Sequence, residues 1–151
     1  MYVFIKIMKK ILLIICIIIP YSLHANENVR EKKVAKYVME NIQKDYTNCY
    51  SFYKVAAESF KKTGKNKEII KNLENSADVS LKYNFDLGEI MGLNPEVMSQ
   101  MTKDKVNKFV ELANKDFSSL ANKYGLMCKN LVENPEQRTN FWEEKANKKF
   151  K

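Results

Sequence analysis

From Lys103 to Leu131 the apolar side chains fall at Val106, Phe109, Ala113, Phe117, Leu120, Tyr124, Met127 and Leu131. Every step is three or four residues, which lays them along one stripe of an α-helix. A helix of that length reaches about 43 Å, enough to span a small domain and carry much of its core. A second stripe runs upstream between Asn28 and about Thr63, through Val34, Val38, Ile42, Tyr46, Cys49, Tyr53, Ala56 and Phe60. No Gly or Pro interrupts it before Gly64, a good residue for a helix to end on, and Lys61 and Lys62 suit the negative helix end. Asp45–Asn48 is its weakest part, with a break into two helices there as the alternative.

Between the two, Asn66 is placed to N-cap a helix running to about Met91, stopped by Gly92. Its stripe is Ile69, Leu73, Ala77, Leu81, then less cleanly Leu87 and Met91. Ala77, Ser80, Asn84 and Gly88 make a separate row of small or polar residues suited to close helix approach. Asn94-Pro95-Glu96 combines a capping amide, a proline at the first helical position and an acid near the positive helix end. It predicts a short turn carrying Val97, Met98 and Met101, after which Thr102 caps the long helix. Asn134-Pro135-Glu136 repeats the device. It opens a short final helix, about 135–150, with Phe141, Trp142, Ala146 and Phe150 on one side and a lysine-rich end. The expected fold is an all-α, up-down-up bundle of three long helices plus a short C-terminal helix. Four Gly and three Pro in 151 residues agree, since they supply few turns. No repeat of 20–50 residues divides the chain, so 26–151 reads as one domain.

Residues 1–25 read as a secretory signal peptide. Lys9 and Lys10 close a basic segment, Ile11–Ile19 is an unbroken apolar run, Pro20 breaks it, and a cut after Ala25 is plausible by its small residue. Met8 is an alternative start. An uncleaved anchor is the rival reading, against which the run falls short of the 18 or so apolar residues that span a bilayer. Cys16 sits among bulky isoleucines, not after the small residue that lipidation favours. Cleavage removes Cys16 and His24, the only histidine. The expected location is periplasmic or secreted.

Two cysteines then remain, and in an exported protein they imply a Cys49–Cys128 disulfide. Taking the first and third helices as parallel, the two fall about 31 and 37 Å along them, close enough to bridge with a small offset. There is no C-x-x-C, and two distant thiols do not make a zinc site.

The charge of +8 also changes with the leader. Three of the 26 basic residues, Lys6, Lys9 and Lys10, lie in it and no acid does, so 23 basic and 18 acidic residues leave +5. After the leader the only arginines are Arg30 and Arg138. Nucleic-acid readers lean on arginine's planar fork, so no nucleic-acid partner is expected.

Without histidine, Ser-His-Asp, Cys-His, H-E-x-x-H and histidine-ligated haem arrangements are excluded. No phosphate-cradling G-x-x-x-x-G-K-[ST] or G-x-G-x-x-G occurs, and no cofactor or metal is expected. Paired carboxylates can work without histidine, but Glu111 with Asp116, and Asp86 with Glu89, read as solvated helix faces. Tyr46, Tyr50, Tyr53 and Phe60, with Phe52, are candidates to line a pocket or to pack round the disulfide. Met91, Met98 and Met101 could form an adaptable contact surface or fill an irregular corner. Phe141, Trp142, Lys145, Lys149 and Phe150 on the last helix form the candidate interaction surface, or fold back over the end of the bundle where the first helix extends beyond Cys49. These features predict a non-enzymatic binding protein of the envelope with an envelope or extracellular protein as partner. The alternatives are a membrane-surface-acting protein using the last helix, and a histidine-free carboxylate hydrolase.

Overall fold

A computed structural model places four helices in the order α1 (Tyr2–Lys62), α2 (Lys67–Ile90), α3 (Pro95–Glu133) and α4 (Pro135–Lys149). It describes residues 2–64 and 66–151, their side chains from Val29 onward; the side chains of the leader read at 1–25, with Cys16 and His24, lie outside them. Among the described residues there is no strand, and over those with described side chains no helix is long and apolar enough to cross a membrane.

The helix ends follow local chemistry. Asn66 Oδ1 accepts from the Glu68 amide at 2.7 Å, and Asn94 Oδ1 from the amides of Glu96 at 2.8 Å and Val97 at 3.2 Å. These satisfy first-turn donors that a helix leaves unpaired. Gly64 and Gly92 close α1 and α2 at φ 66° and 71°, a conformation that costs glycine nothing. Asn134 sits ahead of Pro135 without a side-chain cap.

α1 passes through Asp45–Asn48 without a break. Its weak helix formers there are held by other helices: Asp45 is bound by α4, and Thr47 both bonds back to Gln43 O at 3.0 Å and reaches Asn84 on α2. α2 runs antiparallel to α1, with Tyr83 stacked on Tyr46 near one end and Glu74 paired to Lys61 at 2.7 Å near the other.

The face that α2 buries most deeply shares only Ala77 with its apolar stripe, of which Leu73 and Leu87 are partly buried against the core. Its buried residues are Ala77, Ser80, Asn84 and Gly88, while Ile69 stays 45% exposed. Small side chains let the helices approach closely, and the polar ones are fully partnered. Asn84 Oδ1 accepts from Gln43 Nε2 at 2.7 Å and Thr47 Oγ1 at 2.8 Å, while its Nδ2 donates to Thr102 Oγ1 at 3.1 Å. One buried amide thus joins three helices, and no buried side-chain N or O among the described residues lacks a partner. Such a satisfied network fixes register, because any slip leaves desolvated groups unpaired. Thr102 is accordingly a mid-helix network residue and not a cap. The Asn94-Pro95 start opens α3 itself, so the separate turn expected before Thr102 is the first part of one helix.

α3 is long as patterned but folded on itself. Asp116 has φ −159° and ψ 94°, outside helical values, and its Oδ1 accepts from the Ser119 amide at 3.0 Å, capping a new start. The rings of Phe109 and Tyr124 lie 4.7 Å apart. Fifteen residues of straight helix would separate them by about 22 Å, so the chain reverses at Asp116. Up-down-up order therefore holds for α1, α2 and the outbound limb of α3, and the return limb descends along α1. Phe117 meets Phe60 at 6.0 Å and, eleven residues on, Cys128 meets Cys49. Cys128 thus sits on a limb antiparallel to α1, where the parallel pairing assumed from the sequence does not apply. The disulfide itself is formed, with Cα atoms 5.2 Å apart and both cysteines fully buried.

The core follows the stripes of α1 and α3: Val38, Ile42, Tyr46, Tyr53, Phe109, Leu120 and Leu131 gather round the disulfide. α4 continues the descent past Asn134, its Ala146 fully buried.

Candidate functional site

Where the return limb of α3 gives way to α4, the bend at Asn134 leaves a groove of about 430 Å³ between them. Leu126, Met127 and Phe141 supply its apolar surface. Leu126 is 70% exposed and Phe141 39%, whereas the neighbouring Cys128 and Leu131 have no exposure. Asn122, Asn130 and Gln137 place amides around it, with Lys123 at the edge. The walls are fixed from behind. Met127 adjoins the disulfide, and Phe141 meets Trp142 edge-on at 5.0 Å.

Arg138 completes the lining and is already engaged. Its Nε donates to Asp45 Oδ2 at 2.7 Å, and its guanidinium lies 4.4 Å from the Phe141 ring centre and 5.0 Å from that of Trp142. Trp142 Nε1 donates to the same Asp45 oxygen at 2.6 Å. A desolvated carboxylate holding two donors, with the cation stacked on aromatics, makes a rigid side to the groove. No lining residue is an acid, and no nucleophile stands beside a base. The arrangement suits recognition of an apolar side chain framed by amides.

The last helix folds back, over Arg30–Asp45 of α1 and not beyond Cys49, because it follows a limb that runs antiparallel to α1. Arg30 anchors its end, with Nε donating to Phe150 O and Nη2 to Asn147 Oδ1, both at 2.9 Å. Trp142 and Phe150 pack edge-on against Tyr37 at 6.1 and 5.7 Å, so two of the five candidate surface residues are turned inward. Lys149 lies over the Tyr37 ring at 4.5 Å, and Lys145 stays exposed 5.5 Å from Phe141.

The tyrosines do not converge on one pocket. Tyr46 is buried against Tyr83, and Tyr53 lines another groove with Leu73 and Ser76 of α2. Tyr50 lines a different groove with Lys54 and Leu81, and Phe60 packs on Phe117. Burial first, then the neighbouring Tyr83, pushes the Tyr46 phenol up to about 12. Burial and then Glu133 do the same to Tyr53, against the opposing effect of the Ser76 hydroxyl. Met98 is buried against Gly88, whereas Met101 is exposed. The acids are dispersed: Asp86 pairs with Lys82, Asp116 caps a helix, and Glu111 and Glu89 face solvent. Among the described residues no group of three or more His, Cys, Asp or Glu could hold a metal ion.

Asp45, Leu126 and Arg138 are among the site residues that periodicity missed. Leu126 is out of phase with the α3 stripe, an apolar residue beside Met127 on the wrong face, and that mismatch was its one signal. Comparison with family models, with the curated proteins and with the solved structures finds no match for the chain.

Proposed function

We propose that the chain is an exported, non-enzymatic binding protein of the cell envelope, which grips an apolar side chain of a partner protein in the α3–α4 groove. The observation that carries this is the exposure of Leu126 at a groove whose walls are locked by the disulfide and by Asp45. An exposed apolar residue over a preformed concavity is the usual form of a small anchor site. A buried disulfide fits an oxidising compartment. The membrane-acting alternative draws less support, because Trp142 and Phe150 are engaged with α1.

The test is photo-crosslinking in the native host from a probe at position 126, with a probe at exposed Lys71 as control. One dominant envelope protein captured from 126 alone, and lost when Phe141→Asp is added, is the expected result. Equal capture from both positions, or capture indifferent to Phe141→Asp, overturns the reading.

A further inference from the structure

A second groove, of about 300 Å³, lies on another face, where α1, α2 and the outbound limb of α3 meet. Leu81, Phe85 and Val106 give it an apolar surface, with the Tyr50 ring beside them. Lys54 comes from α1 and Lys103 from α3, and no carboxylate is among the lining residues. Neither lysine is in an ion pair within 4.0 Å among the described residues. Thr102, also in the lining, accepts from Asn84 and keeps its own hydroxyl proton to donate.

The other grooves differ in charge. In the α3–α4 groove Arg138 is neutralised by Asp45; the groove beside Arg30 contains Glu31 and Glu143; and the one beside Tyr53 balances Lys129 with Glu133. Glu58, which feels the charge of Lys54, is itself hydrogen-bonded to Lys61. Of these four grooves only this one sets two cations with no carboxylate within 4.0 Å beside an apolar surface. That combination complements a molecule with one negative head and one hydrocarbon chain. The chain takes the apolar contacts, while the head is held by ammonium and hydroxyl donors, bonds stronger than those to a neutral head.

We propose that this groove binds a single-chain anionic amphiphile, in its simplest form a fatty carboxylate. The site is independent of the α3–α4 groove and does not rest on the protein-binding reading.

The experiment titrates the purified, oxidised protein with octanoate and with 1-octanol, following amide chemical shifts. Saturable octanoate binding is expected, with shifts concentrated at Tyr50, Phe85 and Val106 and affinity falling as salt rises. Octanol is expected to bind at least about tenfold more weakly, the loss of roughly one charge-assisted contact. Lys54→Gln with Lys103→Gln should bring octanoate down to the octanol level. Both lysines are exposed, so an unchanged melting curve checks that the fold is kept. Val106→Trp, which fills the groove, should abolish both ligands. Equal binding of octanol and octanoate, undiminished octanoate binding by the double variant, or no saturable binding below the micelle concentration overturns the proposal.

Discussion

The Trp142 indole and the Arg138 guanidinium converge on one oxygen of Asp45, at 2.6 and 2.7 Å, and so tie the last helix to the first. Asp45→Ala leaves an arginine and an indole without their acceptor, which should cost about 2–4 kcal/mol. Trp142 is the only tryptophan. Its emission should therefore move to the red in this variant at denaturant concentrations where far-ultraviolet circular dichroism remains native. Emission unchanged from the parent would mean that α4 is held without Asp45, by Arg30 and its apolar contacts.

A Cβ at Gly88 would collide with the end of the Met98 side chain, a flexible thioether that can swing away. Gly88→Ala should consequently destabilise by about 1–2 kcal/mol, and Gly88→Val by more. Gly88→Ala combined with Met98→Ala should cost less than the two separately, because the second change opens the space the first one fills. Strict additivity in urea melts would contradict this contact.

The two buried phenols set an alkaline limit. Both have folded pKa values raised from 10.0 to about 12, so the folded chain keeps protons that the unfolded chain releases. Their contribution is intact below about pH 10 and is lost as pH rises from 10 towards 12. Titration of phenolate absorbance should show a late-ionising pair, released at lower pH in denaturant. Tyr53→Phe should shift the alkaline unfolding midpoint upward; a shift downward would assign that limit to other groups.

Cys49 and Cys128 are separated by 79 residues, a loop for which chain entropy gives about 4–4.5 kcal/mol of stabilisation. The Cys49→Ala/Cys128→Ala variant should lose up to that amount. Thiol reagents should leave the oxidised, exported protein, cut after Ala25 and so without Cys16, unlabelled until reductant is added, and labelling without reductant would show the bond to be absent in solution.

Periodicity revealed the helices and the cysteine pair because both depend on residues close in sequence or few in number. It failed where tertiary contacts override local pattern. The stripe through Ala113, Phe117 and Leu120 keeps its phase across Asp116, since both limbs of the hairpin present it to the same core, so nothing apolar marks the reversal. The Asp116-x-x-Ser119 cap was the only local sign. On α2 the row Ala77, Ser80, Asn84, Gly88 was visible, but its burial over the more apolar stripe follows from the close approach and from partners at Gln43, Thr47 and Thr102. The candidate site was least legible. Its α3–α4 groove exists only because the chain bends at Asn134 beside a limb whose direction was unknown.

The covalent bond at Cys49 divides the molecule into a closed ring, holding α2 and most of α3, and two open arms that lie side by side. The arms are α1 from Val29 to Cys49 and the chain from Cys128 to Lys151, clasped by Arg30 at one extremity and Asp45 nearer the bond. Tension applied at residue 29 and Lys151 would load this clasp like a zipper, opening Arg30–Phe150 before Asp45–Trp142, and would halt at the sulfur atoms with the ring still folded. The clasp is a mechanical fuse, and the disulfide is its stop.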